Sequence, residues 1–374
     1  MSERTSFWKR VGYAALTAAI IQNVWIGGGY GSGREIVQYI ARFGSLGWIS
    51  IVVGSLALLI ALLLSFEIAR RFKAFDYRIW SRQFLWKFWP AFEVSYIILA
   101  WIVIAVVGAA AGFMLSDLAN IPYWVSVTIV LLAIFLLHFY GRKVIEGFWI
   151  VGTVGLYMLY IAIWVVFLSV RGGVAMQNIS AGVHQGTITE AAISGFQYTM
   201  YNLVVVASAL QSADRYKGKM ESIFASILSV FFVYITAALL WICFMGWYPE
   251  VIGMTVPVYE IAKSLGVSWL LYLYVFWIFY TLIATALGMI YAIVRRVSAQ
   301  LEARGKKLRK SSEAIIASLL FLVSVITAQV GLVTLVAKGY GTLAWVFFAV
   351  YFIPIVTIGA VRILKPEWRK DLWG

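Results

Sequence analysis

The segment Ile26-Gly27-Gly28-Gly29-Tyr30-Gly31-Ser32-Gly33-Arg34-Glu35 decides how this chain is read. Five glycines and two adjacent charges stand inside an apolar stretch that runs from about Val11 to Ala41. A helix rises about 1.5 Å per residue, so the stretch exceeds the roughly 20 residues that cross a bilayer core. Glycine is a poor helix former, and five within seven positions favour a local break over a continuous rod. A broken helix frees backbone N–H and C=O groups that lipid cannot satisfy. The break persists only where protein, water, an ion or a ligand takes those hydrogen bonds, so a binding site at mid-membrane is expected here. The competing reading is close helix packing. Gly27 and Gly31, like Gly29 and Gly33, have the small-xxx-small spacing of helix contacts.

Composition agrees with the membrane reading. The 374 residues are 63% hydrophobic and 12% charged, whereas soluble domains are about 45–50% apolar and about 25% charged. The single cysteine, Cys243, leaves no internal disulfide framework and no cysteine metal cluster. His138 and His184 lie far apart in sequence, which speaks against a histidine metal site. The opening Met1–Arg10 followed by an apolar run imitates a signal peptide. That run is too long for one, and it is read as a retained first span.

Apolar segments of spanning length fall at about 11–41, 46–69, 90–117, 123–140, 144–169, 189–211, 220–246, 268–294, 313–337 and 342–363. With the N-terminus inside, the inner segments collect 25 of the 30 basic residues, leaving only Arg34, Arg42, Arg171, Lys263 and Lys338 elsewhere. Lys and Arg accumulate on the cytoplasmic side of such proteins. Ten transmembrane helices with both termini cytoplasmic satisfy that rule, in the inner membrane of a prokaryote. The net charge of +14 is thus a topology signal first and a lipid contact second; nucleic acid is not an expected partner.

The longest outer gap divides the chain into five helices and five helices. Five is odd, so the second set enters the membrane from the opposite side, the arrangement of an inverted repeat with its site near the midplane. The expected units are a first repeat (1–170), an outer connecting loop (171–188), and a second repeat with a cytoplasmic tail (189–374). A further outer segment, Trp247–Val267, carries the amphipathic run Val258–Leu265, which reads either as a surface helix over the outer vestibule or as a plain loop.

Helix six is the counterpart of helix one under that inversion. Tyr198, Tyr201 and Asn202 share a face at i, i+3, i+4 near mid-membrane. Amides and phenols in lipid need partners, so the face turns inward, either toward a substrate or as polar glue between helices. No Gly or Pro marks a break at 201–202. Arg34 and Glu35 point apart on a helix, so each needs its own partner: an ion, a substrate group, or a structural mate such as Asp117. Thr281 and Thr285 lie one turn apart among apolar residues. Their hydroxyls either join backbone carbonyls around a small cation or bond back to their own helix. Ser32 and the Gln22–Asn23 pair are further candidates on helix one. Ordinary pairs are expected between Glu67 and Arg70 or Arg71, and between Glu146 and Arg142.

Ten spans and a glycine-broken first helix resemble the LeuT-type fold of the amino acid–polyamine–organocation superfamily. Gly29-Tyr30-Gly31-Ser32-Gly33-Arg34-Glu35 and Tyr198-Thr199-Met200-Tyr201-Asn202 are more closely similar to YkvI-like amino acid permeases. The resemblance implies that helices one and six are discontinuous, and that Gly28, Gly29, Gly31, Ser32, Gly33, Tyr198, Tyr201 and Asn202 line a substrate site. It implies that amides around Gly31 and Gly33 receive a carboxylate and that carbonyls near Tyr201 receive an ammonium. It also implies an outer gate at Arg34, although the relatives supply its acid from helix ten and Leu343–Val361 has none. Sodium-coupled members use helix-one carbonyls and helix-eight hydroxyls, which Thr281 and Thr285 match. Some proton-coupled members place a lysine in helix five, which Val144–Val170 lacks.

The reading is therefore an all-α polytopic secondary transporter moving a small amino acid or similar zwitterion by alternating access. No prosthetic cofactor is expected, with Na+ favoured over a proton as coupling ion. The sequence does not set the oligomeric state. A channel is the first rival, and it ordinarily shows a ring of like charges or a repeated filter; a membrane sensor that binds a solute without flux is the second. No nucleophile, base and oxyanion donors assemble into an enzyme site.

Overall fold

A computed structural model describes residues 2–328 and 341–368. The described residues are predominantly helical and contain no strand. Residues 329–337 of the ninth expected span lie outside the described residues, as do Lys338, Arg369 and Lys370 of the charge count.

Helix one is broken where the glycines stand. It runs as α1 (Ser2–Trp25), stops at Ile26 and Gly27, resumes as the single turn α2 (Gly28–Gly31), turns through Ser32 and Gly33, and continues as α3 (Arg34–Tyr39). A left-handed residue, Gly33 at φ +83°, makes the second turn. A side chain there would also strike the Phe244 ring at 2.6 Å, so the position requires glycine twice over.

The remaining elements are α4 (Gly47–Arg71), α5 (Tyr77–Leu85), α6 (Trp89–Ala119), α7 (Tyr123–Tyr140), α8 (Arg142–Ser180), α9 (Ile188–Asn202), α10 (Val206–Ala209), α11 (Lys219–Met245), α12 (Pro257–Ser264), α13 (Ser268–Glu302) and α14 (Lys310–Thr327). A last helix, α15, spans Gly341–Leu364; its winding loosens on both sides of Pro354, which has no N–H to give the preceding turn. Eight described helices are long and apolar enough to cross a bilayer. The expected first and sixth spans are the two that are divided into shorter pieces, and they fall outside that set.

Helix six departs from its expected form. After Asn202 the backbone tightens into 3-10 turns at Leu203–Val205 and again at Leu210–Arg215, with right-handed helical dihedrals at each junction up to Leu210 and an extended exit at Tyr216. It is over-wound, not unwound, because no glycine offers a left-handed exit. The expected outer loop at 171–188 is also largely helix: α8 bends at Arg171 (φ −128°) and runs on to Ser180. The Arg171 guanidinium donates to the Gly246 carbonyl at 3.2 Å and Asn178 donates to Met245 O at 2.9 Å, tying this arm to the end of α11. The Val258–Leu265 run is a helix, α12, capped where the Glu260 carboxylate accepts from the Thr255 and Val256 amides at 2.8 Å each.

Around the break the bundle is drawn tight by glycine. α4 packs on α9 so closely that a Cβ on Gly195 would lie 2.1 Å from the Ser50 carbonyl, and one on Gly54 would lie 2.2 Å from the Tyr234 hydroxyl. α1 packs on α11, α8 and α13. The Asn23 amide donates to Trp149 O and to Thr153 Oγ1, both at 2.8 Å, and so fixes the end of α1 to α8. At the end of the molecule that carries the amino terminus, the expected Glu67–Arg70 and Glu146–Arg142 pairs form at 2.5 and 2.7 Å. Arg10–Glu221 at 2.7 Å and Arg296–Glu93 at 2.9 Å join them.

Gly195→Ala should lower the thermal unfolding midpoint of the purified protein, because overpacking against backbone costs about 1–3 kcal/mol. Gly12→Ala, where nothing lies within 4 Å, should not. A melt that ranks the two variants equally would contradict the close contact.

Candidate functional site

The broken segment borders a cavity of about 920 Å³. Its walls come from both sides of the break, from α6, from α13, from the middle of helix six, and from the stretch around Thr255–Tyr259. Apolar side chains dominate: Val103, Val107, Ala110, Ile278 and Leu282 among them. The charged residues on the wall are Arg34, Glu35 and Asp117.

The first layer of this site is the internal repair of the break. Gly31 N–H donates to Gly27 O at 2.8 Å, and Gly33 N–H donates to Tyr30 O at 2.9 Å. Ser32 Oγ donates to Gly29 O at 2.9 Å and accepts from the Arg34 amide at 3.2 Å. The Ser32 carbonyl in turn accepts from Val258 N–H at 3.2 Å, which places α12 directly on the turn. Tyr30 is fully buried, its hydroxyl donating to Val233 O at 2.6 Å. The amides of Gly31 and Gly33, expected to receive a substrate carboxylate, are therefore already bonded within the segment.

Arg34 and Glu35 point apart, as adjacent helical residues must. The Arg34 guanidinium donates through Nη1 to the carbonyls of Ile252 and Met254, at 2.9 and 2.8 Å. It clasps the outer segment and makes no ion pair with Asp117 among the described residues, so the expected structural mate is not the one found. Glu35 folds back over the break, where a Cβ on Gly29 would fall 2.2 Å from its Oε1. Its carboxylate faces the hydroxyls of Tyr201 and Tyr198.

Tyr198, Tyr201 and Asn202 come together as expected, but they play different parts. Tyr201 and Asn202 reach the cavity wall, while Tyr198 stands behind them. The Asn202 amide donates to Tyr198 O at 3.0 Å, spending one of its protons on its own helix. Trp25 Nε1–H donates to the Tyr198 hydroxyl at 3.0 Å. Of the remaining candidates, Gly29, Ser32 and Thr285 line the cavity, whereas Gly28, Gly31, Gly33 and Thr281 do not.

The two threonines separate in the same way. Thr281 Oγ1 bonds back to Ile278 O at 2.8 Å. Thr285 Oγ1 instead lies 3.3 Å from both Asn23 O and Val24 O, the carbonyl end of α1. Immediately before them in α1 the Gln22 amide is fully buried and has no hydrogen-bond partner among the described residues. Sequence reasoning missed the α6 wall, although Val103, Val106, Val107 and Ala110 keep helical spacing with small or β-branched side chains. A plain lipid-facing helix shows the same pattern.

No family model matches this chain, and no curated protein matches it in sequence. Solved structures match in fold. MhsT in complex with L-phenylalanine superposes with a TM-score of 0.66 at 13% identity, over 97% of this chain and 90% of that one. Mhp1, a nucleobase-cation-symport-1 family transporter in a closed conformation with bromovinylhydantoin bound, gives 0.64 at 12%, over 96% and 81%. The manganese transporter of Eremococcus coleocola, as a variant, gives 0.50 at 16%, over 94% and 77%. The chain therefore has the LeuT-type fold, and the structures that share it are transporters, not enzymes.

Arg34→Ala should free the segment around Thr255 from its clasp. Labelling of Thr255→Cys by a water-soluble maleimide should then accelerate, with the buried Cys243 giving little background. An unchanged labelling rate would mean that the two carbonyl contacts do not hold the segment.

Proposed function

We propose that the protein is a secondary active transporter that carries a small amino acid or similar zwitterion across the prokaryotic inner membrane by alternating access. The observation that carries this reading is one apolar cavity with opposite charges, Arg34 and Glu35, on its wall at a helix break. A neutral cargo with one pole of each sign fits such a wall without stranding a charge in low dielectric. The fold shared with Mhp1 and with MhsT bound to L-phenylalanine supports the same reading. Among the described residues no three His, Cys, Asp or Glu side chains converge, so a divalent metal cargo finds no ready ligand set.

A cation gradient drives the cycle in this reading, with sodium favoured. Thr285 Oγ1 and the carbonyls of Asn23 and Val24 form a group of oxygens at the C-terminal end of a half-helix, where the dipole is negative. That donor set suits a small monovalent cation. Thr281 contributes to it only if its hydroxyl leaves Ile278 O. Both termini lie on the cytoplasmic side in this reading, as the basic residues require.

Purified protein in liposomes should accumulate an amino acid against its gradient, saturably, and only under an imposed cation gradient. Thr285→Ala should raise the sodium concentration for half-maximal uptake about tenfold, the equivalent of about 1.4 kcal/mol. Asn202→Ala should raise the substrate concentration needed. Non-saturating flux down any gradient would favour a channel, and binding without flux would favour a sensor.

A further inference from the structure

The end of the bundle where α4 and α15 finish is built around α5. Tyr77, Trp80, Ser81 and Phe84 recur at i, i+3, i+4 and i+7 and form its buried face. That face packs inward. Trp80 Nε1–H donates to Ser65 O of α4 at 3.2 Å, and the Trp80 ring meets Tyr351 of α15 edge-on at 5.0 Å. The Arg362 guanidinium of α15 donates to Gln83 O at 2.9 Å and to Gln83 Oε1 at 2.7 Å. Arg71, the last residue of α4, donates to the Ile363 carbonyl. Three elements are thus tied into one platform.

The outward side of this platform is apolar and basic at once. Ile79, Phe88 and Leu364 are 44, 72 and 80% exposed. Each stands beside an exposed basic residue: Ile79 three positions before Arg82 on α5, Phe88 next to Lys87, and Leu364 next to the Ile363 that Arg71 touches. Among the described residues none of Arg71, Arg82 and Lys87 pairs with an acid. The acids of the adjoining elements are already engaged: Glu67 with Arg70, Glu93 with Arg296, and Asp76 with the Arg78 and Ile79 amides that open α5. Water suits the charges but not the apolar side chains, and hydrocarbon suits the reverse. A phospholipid with a negative headgroup offers both surroundings, acyl chain on one side and phosphate on the other.

We propose that this platform binds an anionic phospholipid: Arg71, Arg82 and Lys87 hold the phosphate headgroup, while Ile79, Phe88 and Leu364 lie against its acyl chains. α5 is then an interfacial helix at headgroup level, with its inner face on the bundle. In the topology proposed above this end meets the cytoplasmic leaflet, where anionic lipids create a negative surface potential. That placement rests on the transporter reading, whereas the binding itself does not. The loop between α13 and α14 supplies a contrast. Lys306 and Lys307 are exposed there, yet no large exposed apolar residue lies between Phe276 and Ile315. That loop carries charge without the apolar half of the site.

The test is stabilisation of the full-length protein in detergent by phosphatidylglycerol, by phosphatidylcholine of the same chains, and by inorganic phosphate. Phosphatidylglycerol should raise the thermal midpoint saturably and lose the effect in high salt; the other two probes should not raise it. Arg82→Gln with Lys87→Gln should weaken phosphatidylglycerol binding about tenfold or more, since each basic residue beside an anionic surface contributes roughly fivefold. Lys306→Gln with Lys307→Gln removes the same charge and should leave binding unchanged. If the platform double variant does not fold, Lys87→Gln alone should still weaken binding roughly fivefold. Equal stabilisation by phosphatidylcholine or inorganic phosphate, no stabilisation by phosphatidylglycerol, an equal loss in the loop variant, or full affinity in a folded platform variant would each overturn the assignment. Uptake into liposomes is read separately, so lipid binding without transport would refute the transporter reading and leave this surface standing.

Discussion

A peptide bond released from its helix inside a bilayer must find another partner, and the whole molecule is arranged around that requirement. The break after Trp25 is small because most of its freed groups are recaptured nearby. Gly31 and Gly33 donate to carbonyls within the same segment, Ser32 bridges Gly29 to Arg34, and Val258 reaches in from outside to take the Ser32 carbonyl. What stays uncommitted faces the cavity and the hydroxyl of Thr285. The glycines thus serve two ends: they permit the dihedrals, and at Gly29 and Gly33 they leave room for the Glu35 carboxylate and the Phe244 ring.

The two halves of helix one are anchored to different neighbours. Asn23 fastens the end of α1 to α8, and Thr285 fastens it to α13. Beyond the break, Tyr30 is tied to α11 and Arg34 to the outer segment. Between Asn23 and Tyr30 the chain runs only through residues 24–29, and between Tyr30 and Arg34 only through residues 31–33. A joint between separately anchored bodies is where a rocking motion concentrates, since each body keeps its own contacts while φ and ψ change at a few residues.

The parts legible in the sequence were those where composition violates a strong physical rule. Five glycines beside two charges in lipid admit few explanations, so the break could be read directly, and Arg34 and Glu35 stood out as residues that need separate partners. Partners could not, because a side chain's mate depends on tertiary approach: Arg34 found carbonyls in place of Asp117, and Glu35 found tyrosines. Helix six shows the other limit. Its polar face at Tyr198, Tyr201 and Asn202 was visible from spacing, but tightening into 3-10 turns needs no glycine or proline and leaves no mark among Leu203, Val204 and Val205. The Arg171 bend was likewise hidden, since Gly172 and Gly173 read as loop and yet continue α8. The α6 wall was invisible because valines facing a cavity and valines facing lipid obey one pattern.

Placing opposite charges on neighbouring residues is what gives this site its polarity. Successive side chains on a helix diverge by about a quarter turn or more, so Arg34 and Glu35 cannot neutralise each other without distorting α3. The guanidinium is turned outward and satisfied by backbone oxygen, which leaves its charge uncompensated but solvated by dipoles. The carboxylate is turned inward onto phenol hydroxyls, which solvate it without cancelling it. The cavity wall therefore carries an acid and a base, adjacent in the chain, that do not meet and are each held by neutral dipoles.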